Sequence, residues 1–125
     1  MAIPFLALNA VIYLGLGLWC TLDPTGTSRA IGFEFAKPSA KSEYVTVYGG
    51  LEFGMGLFFA LAAWHEPLRY GGLWFALLTY ACLALFRVGT LIAYDDVGRF
   101  PWIMLAIEAP MALVAAWLVF RGAGS

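Results

Sequence analysis

The chain has 125 residues, of which 62% are hydrophobic and 17% aromatic, while only 12% are charged. This composition is wrong for a water-soluble domain and predicts that most of the chain lies in lipid. Seven basic and eight acidic residues form no run, which excludes a basic surface for nucleic acid. Two cysteines, without a CxxC motif or a His/Cys cluster, provide neither a disulfide framework nor a zinc site.

Four apolar stretches are long enough to cross a membrane, which takes about 20 helical residues for a hydrocarbon core of roughly 30 Å. They cover residues 4–22, 45–64, 70–94 and 101–120. The links after the second and third stretches are short, so the helices that they join must run antiparallel. The sequence therefore predicts an all-α membrane protein. We expect a four-helix transmembrane bundle with up-down-up-down order, formed by residues 1–125 as one domain.

The first connection, residues 23–44, is the only long one, and it mixes prolines and glycines with aromatic side chains. We expect it to lie on the mouth of the bundle or in the membrane interface, where Phe33 and Phe35 can be buried. A solvated linker is the alternative. This side of the bundle carries more basic side chains than the other, so the positive-inside rule predicts that the connection is cytoplasmic.

Three ionisable side chains lie inside the apolar stretches: Glu52, Arg87 and Glu108. Each is about seven residues from the end of its stretch on the same membrane face, which places all three roughly 10 Å below that surface. A charge within a span costs about 2.5 to 3.5 kcal/mol, so each should face the interior and find a partner. Equal depth predicts a single Glu52–Arg87–Glu108 layer, in which Arg87 bonds both carboxylates.

This layer would carry a net negative charge if both carboxylates were ionised. Either one glutamate keeps its proton, or a cation, a water chain or a polar ligand completes the site. Further polar residues at similar depth or at the mouth are candidates for binding a ligand: Tyr13, Tyr48, Thr90, Tyr94 and Asp95. A structural role is the alternative, because a buried ion pair can fix which helices pack together. No catalytic residue is predicted, since no nucleophile has a neighbouring base.

Gly50 and Gly54 form a GxxxG motif in the second apolar stretch. In membrane helices this spacing permits the close approach of another helix. We therefore predict that the two glycines mediate helix packing. The same face would provide the contact for a homo-oligomer or for a larger membrane complex.

Three groups of residues resemble a known family: the run 48–59 (YGGLEFGMGLFF), the run 86–90 (FRVGT), and the positions Asp95, Pro101 and Glu108. The chain is similar, over residues 44–121, to the bacterial domain-of-unknown-function 4345 family of small four-span membrane proteins. The resemblance implies a bacterial cytoplasmic (inner) membrane location and a recurrent polar set of Arg87, Asp95 and Glu108. At Glu52 family members often carry an apolar residue. No activity or cofactor is implied.

Three classes of function follow from these observations. The first is a non-enzymatic integral membrane protein, either self-associating or an accessory subunit of a membrane complex, which suits the lack of a soluble domain. The second is a small transporter or a ligand- or proton-binding protein that uses Glu52 or Glu108 beside Arg87. A membrane enzyme ranks last, because a thiol oxidoreductase would need a CxxC motif. We expect the lipid bilayer as a partner and no metal, cofactor or nucleic acid.

Overall fold

The computed structural model describes residues 1–122 and, over that range, consists of helices and their links without strands. The elements in chain order are α1 (Ala2–Leu22), α2 (Pro24–Ala30), α3 (Pro38–Tyr44), a π-helix (Val45–Leu51), α4 (Glu52–Trp64), α5 (Glu66–Ala93) and α6 (Phe100–Phe120). Because α3, the π-helix and α4 follow one another without a break, they form one continuous helix over Pro38–Trp64.

Four helices are long and apolar enough to cross a membrane: Ala2–Leu22, Pro38–Trp64, Glu66–Ala93 and Phe100–Phe120. The prediction of an all-α chain with four helices of spanning length is thereby confirmed. Large apolar side chains stay exposed on all four, for example Val11, Leu61, Leu85 and Leu113. In water such surfaces would drive association, whereas lipid solvates them. The exposed surface is therefore that of a membrane protein.

Prolines lie in the first two positions of four helices: Pro24 in α2, Pro38 in α3, Pro67 in α5 and Pro101 in α6. Proline suits this position because its missing N–H would have no partner inside the helix. Asp23 also caps α2, since its carboxylate accepts a hydrogen bond from the backbone N–H of Gly26 at 3.1 Å. The link between α5 and α6 turns at Gly98, where φ is 76°.

The connection over residues 23–44 contains two short helices, α2 and α3, and most residues between them are exposed. Its place at the bundle mouth or in the membrane interface stays a prediction. The chain turns after α2 at Gly32, where φ is 87°, and the backbone N–H of Phe33 donates to the carbonyl of Ser28 at 2.8 Å. Phe33 and Phe35 then both contact the ring of Tyr44. Phe33 remains 45% exposed, so the predicted burial of this ring is incomplete.

Contacts divide the chain into two compact units, of which the first is Ile3–Trp64. In this unit α1 runs antiparallel to the Pro38–Trp64 helix, because Gly17 lies against Gly49 and Leu14 lies against Gly56. The backbones approach closely at these glycines. A Cβ atom on Gly17 would lie 2.7 Å from the amide nitrogen of Phe53 and 2.8 Å from the carbonyl oxygen of Gly49.

The second unit consists of Met1–Ala2 and the chain from His65 onward, with α5 and α6 as its helices. Arg87 pairs with Glu108, and the ring of Trp74 meets the ring of Phe120 edge to face at 6.0 Å. Trp74 precedes Arg87 on α5, whereas Phe120 follows Glu108 on α6, so these helices are antiparallel. The order of all four helices as up-down-up-down, and the single domain, stay predictions.

Candidate functional site

Arg87 and Glu108 form a two-pronged ion pair between α5 and α6. The Nε atom of Arg87 donates to Oε2 of Glu108 at 2.6 Å, and an Nη atom donates to Oε1 at 2.5 Å. Both carboxylate oxygens therefore accept a charge-assisted hydrogen bond from one guanidinium. Glu108 is the single charged side chain of α6, and Arg87 is the single charged side chain in the second half of α5. The ion pair is the part of the predicted layer that lies within one unit.

The two partners differ in exposure. The side chain of Glu108 is 3% exposed, whereas that of Arg87 is 22% exposed. A carboxylate that is this deeply buried requires a cation and hydrogen-bond donors, and Arg87 supplies both. The side chain of Arg87 is less deeply buried than that of its partner. The pair is therefore closed on the glutamate side and partly open on the arginine side.

Pro110 lies inside α6, two residues after Glu108. Proline has no backbone N–H, so it cannot donate to the carbonyl of Ala106 one turn earlier, and its ring bends a helix at this point. The helix around Glu108 is thus locally weakened in its own hydrogen bonding. The side-chain bonds to Arg87 hold the same segment against α5.

Glu52 is the first residue of α4 and belongs to the first unit. Among the described residues its carboxylate has no hydrogen bond and no ion pair. It is half-buried. The predicted layer that joins Glu52 to Arg87 and Glu108 stays a prediction, because the two units are distinct bodies.

The remaining candidates from the sequence lie in different surroundings. Tyr13 is buried in the first unit, with its ring stacked on Phe59 at 5.6 Å. Thr90 is exposed and donates its hydroxyl to the backbone carbonyl of Arg87 at 2.8 Å. Tyr94 follows the last residue of α5 and is exposed, as is Asp95 after it. Their share in a common binding site is untested.

Four rings form an aromatic cluster that the sequence analysis only partly anticipated: Phe33, Phe35, Tyr44 and Tyr48. Tyr44 and Tyr48 stack at 4.6 Å between ring centroids, and Phe33 meets both edge to face at about 6 Å. The buried hydroxyl of Tyr44 donates to Oγ1 of Thr27 at 3.1 Å. Tyr48 is one of the candidates for binding a ligand, and its ring packs in this cluster. The sequence feature that indicates this cluster is the spacing of Tyr44 and Tyr48, which lie four residues apart on one helix face and follow a loop with two phenylalanines.

Gly50 and Gly54 have open space where a Cβ atom would lie, so neither makes a close helix contact with any other part of residues 1–122. The contact with α1 uses Gly49 and Gly56 instead. The reason is rotational, since the neighbouring glycines point to another side of the same helix. The predicted contact of Gly50 and Gly54 with a second protein stays a prediction.

No group of three His, Cys, Asp or Glu side chains within residues 1–122 is arranged to hold a metal ion. The site chemistry present in this range is therefore that of an ion pair, an isolated carboxylate and an aromatic cluster. None of these contains a nucleophile that is hydrogen-bonded to a base. The arrangement can bind charge or fix helices.

A family model, Domain of unknown function (DUF4345), matches residues 4–119. The match includes the first helix and so reaches further than the resemblance over residues 44–121. Comparison with curated proteins and with solved structures gave no match. With nearly its whole length matched, the chain belongs to the DUF4345 family.

Proposed function

We propose that this protein is a non-enzymatic component of a bacterial cytoplasmic (inner) membrane, which associates with itself or joins a larger membrane complex as a subunit. The observation that carries the proposal is the two-pronged ion pair of Arg87 and Glu108. Its two hydrogen bonds join α5 to α6 in a defined orientation. A membrane protein with a structural role needs such a polar contact, because apolar surfaces give little preference for one helix partner over another in lipid.

The ion pair favours a structural role over a catalytic one for a second reason. A working acid or base must exchange its proton or contact a substrate, and Glu108 is 3% exposed with both oxygens occupied. Opening this site would require Arg87 to leave a deeply buried carboxylate, which is costly. An ion pair that must be separated before each reaction cycle would add its cost to the activation barrier.

Gly50 and Gly54 support association with another chain. Both are exposed, and no atom of the described chain lies within 4 Å of a Cβ atom built on either. One turn of helix separates them, so they form a flat strip on a helix of spanning length. Such strips let a second helix approach closely in lipid, where tight packing replaces the hydrophobic effect as the driving force.

The test is the oligomeric state of the Gly50→Leu/Gly54→Leu double variant in lipid nanodiscs and mild detergent. We expect the wild-type protein to give a mass above that of one chain, or to retain a partner on purification. The variant should lose that assembly while keeping its helix content. Gly15→Leu is the matched control, because Gly15 is also exposed with open space around it but lies on α1. A wild-type protein that is monomeric and retains no partner would contradict the proposal.

A second candidate function is proton or cation binding at Glu52. The supporting observation is that this carboxylate lies in a helix of spanning length and has no hydrogen bond or ion pair among the described residues. Ionisable residues in such positions often belong to ion pathways. It differs from the Arg87–Glu108 pair in having no fixed counter-charge.

Proteoliposomes distinguish the two candidates. If Glu52 carries protons or cations, Glu52→Gln should abolish a proton or cation flux that wild-type protein produces. Glu43→Gln, a change of the same kind on the exposed end of the same helix, should leave the flux intact. A wild-type protein without flux, or a Glu52→Gln variant with unchanged flux, would rule out this second function.

A further inference from the structure

The aromatic cluster lines an open cavity on the surface of the first unit. The cavity has a volume of about 350 Å³ and is lined by all four rings of the cluster, together with Glu34 and Glu43. It lies where the chain enters the Pro38–Trp64 helix, which is long and apolar enough to span a membrane. Aromatic side chains are typical of that depth, but here they form a concave site and not a simple belt.

Phe33 and Phe35 stand at steep angles to the ring of Tyr44, whereas Tyr44 and Tyr48 are nearly parallel, at 17°. We call these four rings the aromatic cage. Phe33 makes an angle of 83° with Tyr48 and 81° with Tyr44, and Phe35 makes an angle of 62° with Tyr44. A group in the cavity can therefore meet π surfaces from more than one direction. The faces of aromatic rings carry partial negative charge and attract cations.

The cage is held in place before any ligand arrives. Tyr44 is 5% exposed, and its hydroxyl is bonded to Thr27, which itself donates to the backbone carbonyl of Asp23 at 2.8 Å. The backbone N–H of Phe33 donates to the carbonyl of Ser28, which fixes the main chain that carries this ring. A site that needs little ordering on binding loses less affinity to conformational entropy.

The charged residues at the cavity favour a ligand with a positive charge. The charged residues among those that line it are Glu34 and Glu43, and both are exposed. A phosphate or carboxylate would meet two negative charges. A small metal ion would find rings in place of oxygen ligands, which do not replace its water shell. A bulky, weakly hydrated organic cation suits both the rings and the carboxylates.

We propose that this cavity binds a quaternary or alkylated ammonium group, held against the rings of Phe33, Phe35, Tyr44 and Tyr48 and balanced by Glu34 and Glu43. The group can belong to a free small molecule or to a lipid headgroup, since both present the same chemistry at this depth. The site is separate from the Arg87–Glu108 pair and does not depend on the proposed assembly role. It gives the connection between the first two long helices a recognition function.

The test uses the full-length protein in nanodiscs of phosphatidylglycerol, titrated with choline by calorimetry. The neutral isostere 3,3-dimethylbutan-1-ol has the same shape without the charge. We expect choline to bind saturably and at least about tenfold more tightly than the isostere, because attraction to π faces and carboxylates requires the positive charge. Equal affinities, or no choline binding, would overturn the proposal.

Variants then assign the binding to the cage. Phe33→Leu and Tyr48→Leu keep apolar volume but remove π faces, and each should weaken choline binding by about tenfold. Tyr48→Phe keeps the face and should bind as wild type. Neither ring is fully buried, so these variants are expected to fold, which circular dichroism and thermal melting check. Leucine variants that fold and bind choline unchanged would contradict the assignment.

A second set of nanodiscs, which contain phosphatidylcholine, identifies the source of the ammonium group. If a lipid headgroup occupies the cage, the apparent affinity for free choline should fall as the fraction of phosphatidylcholine rises. If the natural ligand is a free molecule, the affinity should not change. Both results support an ammonium site and decide between its two sources. Binding that persists in Glu34→Gln/Glu43→Gln without any loss would show that the carboxylates are not part of it.

Discussion

Replacing Arg87 with methionine is expected to lower the free energy of unfolding by about 3 to 5 kcal/mol, the usual cost of removing one partner of a buried ion pair. The loss follows from the burial of Glu108, which is 3% exposed and receives both of its charge-assisted hydrogen bonds from Arg87. Unfolding in mixed micelles of dodecyl maltoside and sodium dodecyl sulfate, followed by circular dichroism, measures the change.

Two further variants show whether the loss arises from the pair. Glu108→Met should destabilise the protein less than Arg87→Met, because the arginine side chain left behind is 22% exposed and is long and flexible enough to turn its charge toward water or headgroups. The double variant Arg87→Met/Glu108→Met should recover most of the loss, since apolar side chains replace a buried pair at little cost. A double variant as unstable as Arg87→Met alone would show that the ion pair is not the source.

Gly17→Ala is the second change for which we expect a large effect. The added methyl group would lie 2.7 Å from the amide nitrogen of Phe53 and 2.8 Å from the carbonyl oxygen of Gly49, and both are backbone atoms that cannot rotate away. The helices would have to separate, at a cost of about 1 to 3 kcal/mol for overpacking. Gly15→Ala is the control two residues away on α1, because a Cβ atom there meets nothing within 4 Å.

The same micelle unfolding measurement compares these two variants. Gly15→Ala should be neutral or slightly stabilising, since alanine favours a helix more than glycine does. Gly17→Ala should unfold at lower sodium dodecyl sulfate. If both variants behave alike, the close approach of α1 to the Pro38–Trp64 helix does not contribute to stability as the structure indicates.

The spanning helices could be predicted from the sequence because hydrophobic length is a property of composition along the chain. Residues 4–22 and 101–120 agree closely with Ala2–Leu22 and Phe100–Phe120. The helices within residues 23–44 were not predicted, since each has only seven residues and little apolar periodicity. Their proline starts at Pro24 and Pro38 mark where a helix can begin but do not show that one does.

Only the ion pair of the candidate site could be predicted from the sequence, because one physical requirement determined it. The pairing of Arg87 with Glu108 could be predicted because a charge in an apolar helix needs a partner, and adjacent antiparallel helices offer few others. Helix rotation determines which glycines face α1, and the GxxxG pattern does not define that rotation. The glycines that face α1 are Gly49 and Gly56, not Gly50 and Gly54. The place of Tyr48 in the aromatic cluster depends on the fold of the loop, which brings Phe33 against its ring, and the sequence pattern does not define that fold.

The π-helix at Val45–Leu51 has a consequence for the two ends of the helix that contains it. Each of its turns holds about one residue more than an α-helical turn, because its hydrogen bonds run from residue i to i+5. It lies between the ring of Tyr44 and the contact at Gly56. Loss of one residue here would rotate the ends by roughly 100° relative to each other. The length of the π-helix therefore determines the direction in which the ring of Tyr44 points, about the helix axis, relative to the contact at Gly56. A change in that length would reorient the aromatic cluster and leave the packing of α4 against α1 as it is.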